Sequence, residues 1–178
     1  MRQILIATCL ATIMFVNQSA IAADQAQKAE TAESKAKVLE QNAAAGGSKE
    51  LPSRSEIITK PETQAVDPTG VDPLEDAITC LSRTIYWETR GEDAASMEAV
   101  ANVVVSRLGH KGFPNTICEV VMQGREQGAC QFSWWCDGRS DKPREGSAWR
   151  EAVKMAEQVL RHGVKDPTRG ALWYHADY

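Results

Sequence analysis

Aromatic side chains are nearly missing from the first half of this chain. Of its eleven Phe, Trp and Tyr residues, only Phe15 precedes Tyr86. A packed core needs large apolar side chains, so the core is expected in the C-terminal half. A basic excess is also missing: 20 Lys and Arg stand against 24 Asp and Glu, a formal net charge of −4. That argues against a nucleic-acid partner, whose phosphates are usually met by clustered cations. No internal repeat, Gly-X-Y period or heptad run is present, which removes the solenoid, collagen and coiled-coil classes. No apolar run reaches the roughly 20 residues that span a bilayer. Phosphate-loop, G-x-S-x-G and H-E-x-x-H patterns are missing too, and with them the chemistry each would carry.

What is present divides the chain into three segments. Arg2 is followed by the apolar run Ile4 to Val16, and Ala20-Ile21-Ala22 offers a small-x-small cleavage pattern. Residues 1–22 therefore read as a secretory signal peptide. The protein is expected to be exported, to the periplasm or cell envelope, with no transmembrane segment once the signal is removed. Residues 23–72 are rich in Ala, Gln, Glu, Lys, Ser and Thr and carry no aromatic. Gly46-Gly47, Pro52, Pro61 and Pro68 interrupt regular structure. Such a segment buries too little apolar surface to offset its ordering entropy, and it is expected to be a flexible linker.

Residues 73–178 form the working domain, long enough for one small core. Four of the five cysteines lie here: Cys80, Cys118, Cys130 and Cys136. An even count behind an export signal predicts two disulfides. Three connectivities are possible. The short loop between Cys130 and Cys136 favours that pair and leaves Cys80 with Cys118. The spacings do not resemble paired zinc knuckles.

The pattern in this domain is mainly helical. Asp72 is a candidate cap and Pro73 a candidate first residue for a helix with Leu74, Ile78, Leu81 and Ile85 on one apolar stripe. The next position on that stripe is Glu88. A carboxylate there is costly unless it is paired, protonated or used. Gly91 is the expected C-cap, which places Glu88 in the last turn, at the negative end of the helix dipole. Burial and dipole should both raise its pKa, as a general acid requires. The structural alternative is a Glu that leans to solvent or pairs with Arg90 or Arg107. A second helix is expected from about Ala94 to Leu108, with Met97, Val100, Ala101, Val104 and Leu108 inward. A short helix near Thr116 should turn Val120 and Val121 inward. A third long helix, from about Ala148 to His162, should bury Trp149, Ala152, Val153, Ala156 and Leu160. Residues 171–175 read as a strand. The stretch Gln131 to Gly138 mixes aromatics with polar groups, which suits a glycan cleft as well as simple core packing.

The segment Cys80 to Glu92 (CLSRTIYWETRGE) resembles the cell wall hydrolase family typified by the spore cortex-lytic enzyme SleB. The family's Glu-Ala-Arg-Gly-Glu core stands here as Glu88-Thr89-Arg90-Gly91-Glu92. The likeness continues through Ala99-Val100-Ala101, Arg107, Phe113 to Cys118, Cys130 to Ser133, Cys136-Asp137-Gly138 and Tyr174-His175-Ala176. It implies a mainly α (α+β) fold, a compact lysozyme-like helical domain with a small C-terminal β element. Family members continue past the position of Tyr178, so that element is expected to be incomplete, with an unpaired edge that favours self-association. The implied activity is hydrolysis or lytic transglycosylation of peptidoglycan glycan strands next to N-acetylmuramic acid. Glu88 matches the family's catalytic acid, and Glu92 is expected to be structural. Tyr86, Gln131, Phe132 and Tyr174 are expected to line the cleft, with Ser133, Asp137 and His175 as further substrate-binding candidates and Asp137 the best second carboxylate. No metal or organic cofactor is implied. The rival classes are a non-catalytic peptidoglycan-binding envelope protein and a metal-dependent amidase, which lacks a convincing ligand set.

Overall fold

The computed structural model describes residues 2–46, 53, 55–90, 92–162 and 166–174, with residues 2–17 and 162 described by backbone alone. Six α-helices follow in order: α1 (Arg2–Ala44), α2 (Lys60–Thr63), α3 (Ala77–Glu88), α4 (Ala94–Arg107), α5 (Ile117–Met122) and α6 (Gly146–His162). Two short 3-10 turns, Arg125–Gln127 and Ser133–Trp135, lie between α5 and α6. The chain is mainly helical, as expected.

The centre of the fold is α3. Every residue from Ala77 to Tyr86 is buried, and α1, α4, α5 and α6 all pack against it. The helix starts four residues later than expected. Asp67 accepts hydrogen bonds from the amides of Val71 (2.7 Å) and Asp72 (3.2 Å), which fixes Asp72 in a loop. Asp76 then caps the helix, accepting from the amide of Thr79 at 2.8 Å. Asp93 and Thr116 cap α4 and α5 in the same way. The expected inward faces are found: Met97, Val100, Ala101, Val104 and Leu108 on α4, and Trp149, Ala152, Val153, Ala156 and Leu160 on α6, are all buried.

Two expectations are corrected here. Within 23–72, read as a flexible linker, the described residues 23–46, 53 and 55–72 make packed contacts with the domain. Ala32 and Ala36, four apart on α1, are fully buried in the core cluster. Lys35 donates to both Glu62 carboxylate oxygens at 2.9 Å and to the Ile57 carbonyl at 3.0 Å. The Glu40 carboxylate accepts from the amide of Ile117 at the start of α5. Ile58, Thr63, Val66 and Asp67 are buried as well. The arm packs by small residues and a few polar contacts, so it has no broad apolar stripe for the sequence to display. Among the described residues no helix is long and apolar enough to cross a membrane.

The second correction concerns the C-terminal β element. No strand forms among the described residues, and residues 171–174 run as irregular chain. A strand needs a ladder partner for its backbone groups. Here the Leu172 carbonyl is taken by Arg107 Nε at 2.9 Å, and the Ala171 amide turns back to the Thr168 carbonyl at 3.3 Å. Among the described residues there is therefore no open strand edge.

Both disulfides are present. Cys80–Cys118 joins α3 to α5 with a Cα separation of 5.3 Å. Cys130–Cys136 closes the loop around the Ser133–Trp135 turn, at 6.4 Å. The first spans 38 residues and ties two core elements, so its loss should matter more. Replacing Cys80 and Cys118 together by Ala should lower unfolding stability by about 2–4 kcal/mol. Urea unfolding checks this, and an unchanged midpoint would show that packing alone holds α5 in place.

Candidate active site

Glu88 is the last residue of α3, and Thr89 forms the C-cap. Gly91, expected in that role, lies outside the described residues. Ile78, Leu81 and Ile85 are at most 1% exposed, and Glu88 continues their stripe to a half-buried position. The Tyr174 hydroxyl donates to Glu88 Oε2 at 2.6 Å. Burial pushes the Glu88 carboxyl above the usual carboxylate range. The Tyr174 hydrogen bond and the nearby Arg107 charge both pull it down, and burial wins. The Tyr174 phenol is pushed up in turn, by its own burial first and then by Glu88. Arg90, a possible partner in the sequence reading, points elsewhere and pairs with Glu145 at 2.6 Å.

Arg107 is the last residue of α4 and is buried. Its guanidinium carbon sits 5.1 Å from the ring centre of Phe113, 5.2 Å from Phe132 and 5.1 Å from Trp173. One terminal nitrogen, Nη1, has no hydrogen-bond partner; ring faces surround the cation where acceptors would otherwise be needed. Through Nε it holds the Leu172 carbonyl, and so fixes the chain two residues before Tyr174. Two helices thus deliver opposite charges to one place from their C-terminal turns. For Arg107 the dipole is favourable and for Glu88 it is not.

The other expected site residues divide. Tyr174 joins Glu88 directly. Phe132, 1% exposed, reaches the site only as a wall of the Arg107 cage and has no face open to a sugar. Tyr86, expected to line the cleft, is packed inside the fold. It is 2% exposed, and its hydroxyl accepts from the amides of Arg144 (2.9 Å) and Glu145 (3.3 Å), holding the approach to α6. Asp137 makes a local turn, accepting from the Arg139 amide at 2.8 Å; Glu88's electrostatic partners are Tyr174 and Arg107 instead. Gln131 is half-buried and Ser133 exposed, neither with a side-chain contact to Glu88. His175 lies outside the described residues. Glu92, read as structural at the start of the second helix, precedes the Asp93 cap; its exposed carboxylate adds to the negative field on Tyr174. Among the described residues, no three His, Cys, Asp or Glu side chains are placed to hold a metal ion.

Sequence reasoning underused Arg107 and missed Trp173. The signal for Arg107 was available. Met97, Val100, Val104 and Arg107 repeat the 3, 4, 3 spacing of Ile78, Leu81, Ile85 and Glu88. Each apolar stripe ends in one charge, of opposite sign. Trp173 had no such signal, because it sits in irregular chain. Two cavities of about 410 and 420 Å³ lie away from this cluster, the first between the α2 region and α6, the second between α1 and residues 65–76. Neither includes Glu88, Arg107 or Tyr174.

Fold and site together define a helical domain in which a half-buried carboxylate of raised pKa accepts from a tyrosine and feels the charge of a buried arginine. Residues 91–178 match the cell wall hydrolase family, a segment that begins just after Glu88. The chain is also 28% identical over 102 residues to a spore cortex-lytic enzyme from Oceanobacillus iheyensis, covering 56% of this chain and 32% of that enzyme. The likeness to the cell wall hydrolase family thus covers just under half of the chain. The chain spans about a third of the length of that relative. No solved structure matches it.

Proposed function

We propose that the protein cleaves peptidoglycan glycan strands next to N-acetylmuramic acid, with Glu88 as the acid. The observation that carries this reading is the state of Glu88: half-buried, raised in pKa and fixed by the Tyr174 hydroxyl. Such a carboxyl holds its proton further toward neutral pH and can give it to the glycosidic oxygen. The bond to the leaving sugar breaks, and positive charge grows at the anomeric carbon of N-acetylmuramic acid. The substrate's own acetamido oxygen is the nearest group able to stabilise it. The ionised Glu88 then takes a proton back. If it comes from the C6 hydroxyl of the same sugar, the product is a 1,6-anhydro end and the reaction is lytic transglycosylation. If it comes from water, the product is a reducing end. One acid–base carboxylate suffices for the first route, whereas ordinary retention or inversion uses two. Arg107 balances the charge on Glu88 after the first transfer. Export fits this substrate, since the sequence opens with a signal-like run and the structure carries two disulfides.

Product analysis of a peptidoglycan digest tests the proposal. Purified protein and purified sacculi are incubated, and the soluble products are resolved by mass. Anhydro-muropeptides are the expected result, and reducing ends would keep the glycosidase reading while changing the second step. Free stem peptides would replace it with an amidase. Tight binding without products would replace it with a glycan-binding protein.

A further inference from the structure

Trp173 has an exposure that the fold does not explain. It is 63% exposed, in a chain whose other tryptophans are buried or partly buried. An indole carries a large apolar surface, and leaving it in water forgoes the stabilisation that burial would bring. Yet its place is fixed. Arg107 Nε holds the carbonyl of Leu172, the residue before it. The Arg107 guanidinium carbon lies 5.1 Å from its ring centre, and the Phe113 ring lies 5.7 Å away at an angle of 55°. The residue after it, Tyr174, has its hydroxyl on Glu88. Of the three rings around Arg107, Phe132 is buried, Phe113 is half-buried, and only Trp173 is largely exposed. Of the other exposed large apolar side chains, Tyr174 is the neighbour whose hydroxyl is held on Glu88, and Ile21, Val38 and Val71 lie on α1 or in the loop before α3.

A flat apolar surface, held still and placed one residue from the acid's partner, is suited to one kind of ligand. A pyranose ring presents a face of C–H bonds that is apolar and flat, with its hydroxyl and acetamido groups at the rim. We propose that Trp173 is a sugar-stacking platform that binds an N-acetylated pyranose of the glycan strand beside the bond that Glu88 protonates. Arg107 is its pedestal: it fixes the indole from beneath and leaves the outer surface free. A platform held in advance costs little ordering on binding, which an exposed but mobile indole would not achieve. This inference rests on the glycan-strand reading and assigns a binding residue to it.

The test uses the full chain carrying Glu88→Gln, so that glycan is bound and not consumed. Binding of a stem-free glycan-strand tetrasaccharide is measured by calorimetry for Glu88→Gln alone and with Trp173→Phe, Trp173→Leu or Trp173→Ala. Thermal unfolding is followed on each preparation. Trp173→Phe keeps a flat ring and should bind within about threefold of the parent. Trp173→Leu keeps apolar bulk against Phe113 without a flat face, and should weaken binding about tenfold, as should Trp173→Ala. Equal binding by the Leu and Phe variants would overturn the stacking role even if the Ala variant were unstable. A Glu88→Gln protein that is folded and binds no glycan would overturn the underlying reading instead, and this inference with it.

Discussion

Glu88→Gln is expected to reduce glycan cleavage by about 10²–10⁴-fold while leaving the protein folded and, at neutral pH, no less stable. The amide cannot give up a proton to the glycosidic oxygen, so the first step fails. The stability expectation follows from the direction of the pKa. Burial raises the Glu88 pKa above its ordinary value despite Tyr174 and Arg107, so the folded state binds the proton more tightly than the unfolded state. Stability therefore falls as pH rises from the ordinary carboxylate value through the raised one, and above that window the ionised carboxylate is a cost to the fold. A neutral amide removes that cost and still offers an oxygen to the Tyr174 hydroxyl. Activity that needs the acid form should fall over the same rise in pH. Tyr174→Phe gives the companion result. Its hydroxyl stabilises the charged form of Glu88, so its loss should move the alkaline limb of the pH–activity profile upward. Folded Glu88→Gln protein with near-normal cleavage would remove Glu88 from the mechanism. An unshifted profile in Tyr174→Phe would remove only the hydrogen bond's influence.

How much of this was legible in the sequence depends on what each feature rests on. Glu88 was legible because a periodic apolar stripe runs into a carboxylate, and period is a local property of one helix. The same pattern marks Arg107, although the meeting of the two charges is tertiary and no period encodes it. The burial of Tyr86 and Phe132 was not legible, for the opposite reason. An aromatic beside a motif says nothing about which way it faces, and both are needed to fill a small core around α3. Tyr174 entered the sequence reading through the resemblance and not through its surroundings, and its hydroxyl meets Glu88. Residues 171–174 form no strand because β-propensity measures fit to a sheet, and among the described residues there is no sheet to fit. The arm before α3 was hidden most completely. Its buried residues are Ala, Thr, Asp, Glu and Gly with single Ile and Val residues between them, a composition that reads as solvated chain.

That arm carries the largest expected change in stability. Asp67 and Arg83 form an ion pair at 2.8 Å with side chains only 1% and 4% exposed. Asp67 also accepts the Val71 and Asp72 amides, and Arg83 donates to the Asp72 carbonyl at 3.0 Å. The Asp67 carbonyl in turn receives Trp149 Nε1 of α6 at 3.1 Å. One residue of the arm thus joins α3, α6 and the loop that leads into α3. Its backbone has a φ of +40°, in the left-handed region where Asp and Asn are among the better-tolerated residues. Removing either charge leaves the other buried without its partner, which costs about 3–5 kcal/mol. Asp67→Asn is the cleaner variant, because it keeps an oxygen for the Val71 and Asp72 amides and the φ tolerance while removing the charge and the oxygen that accepts from Arg83. It should be strongly destabilised and so should Arg83→Met, whereas the double variant should recover much of the loss, since no lone charge then remains. A flexible linker predicts something different: no change in any of the three. Urea unfolding of the full chain decides between them, and midpoints unchanged from the parent in Asp67→Asn and Arg83→Met would return residues 53–72 to the role of a tether.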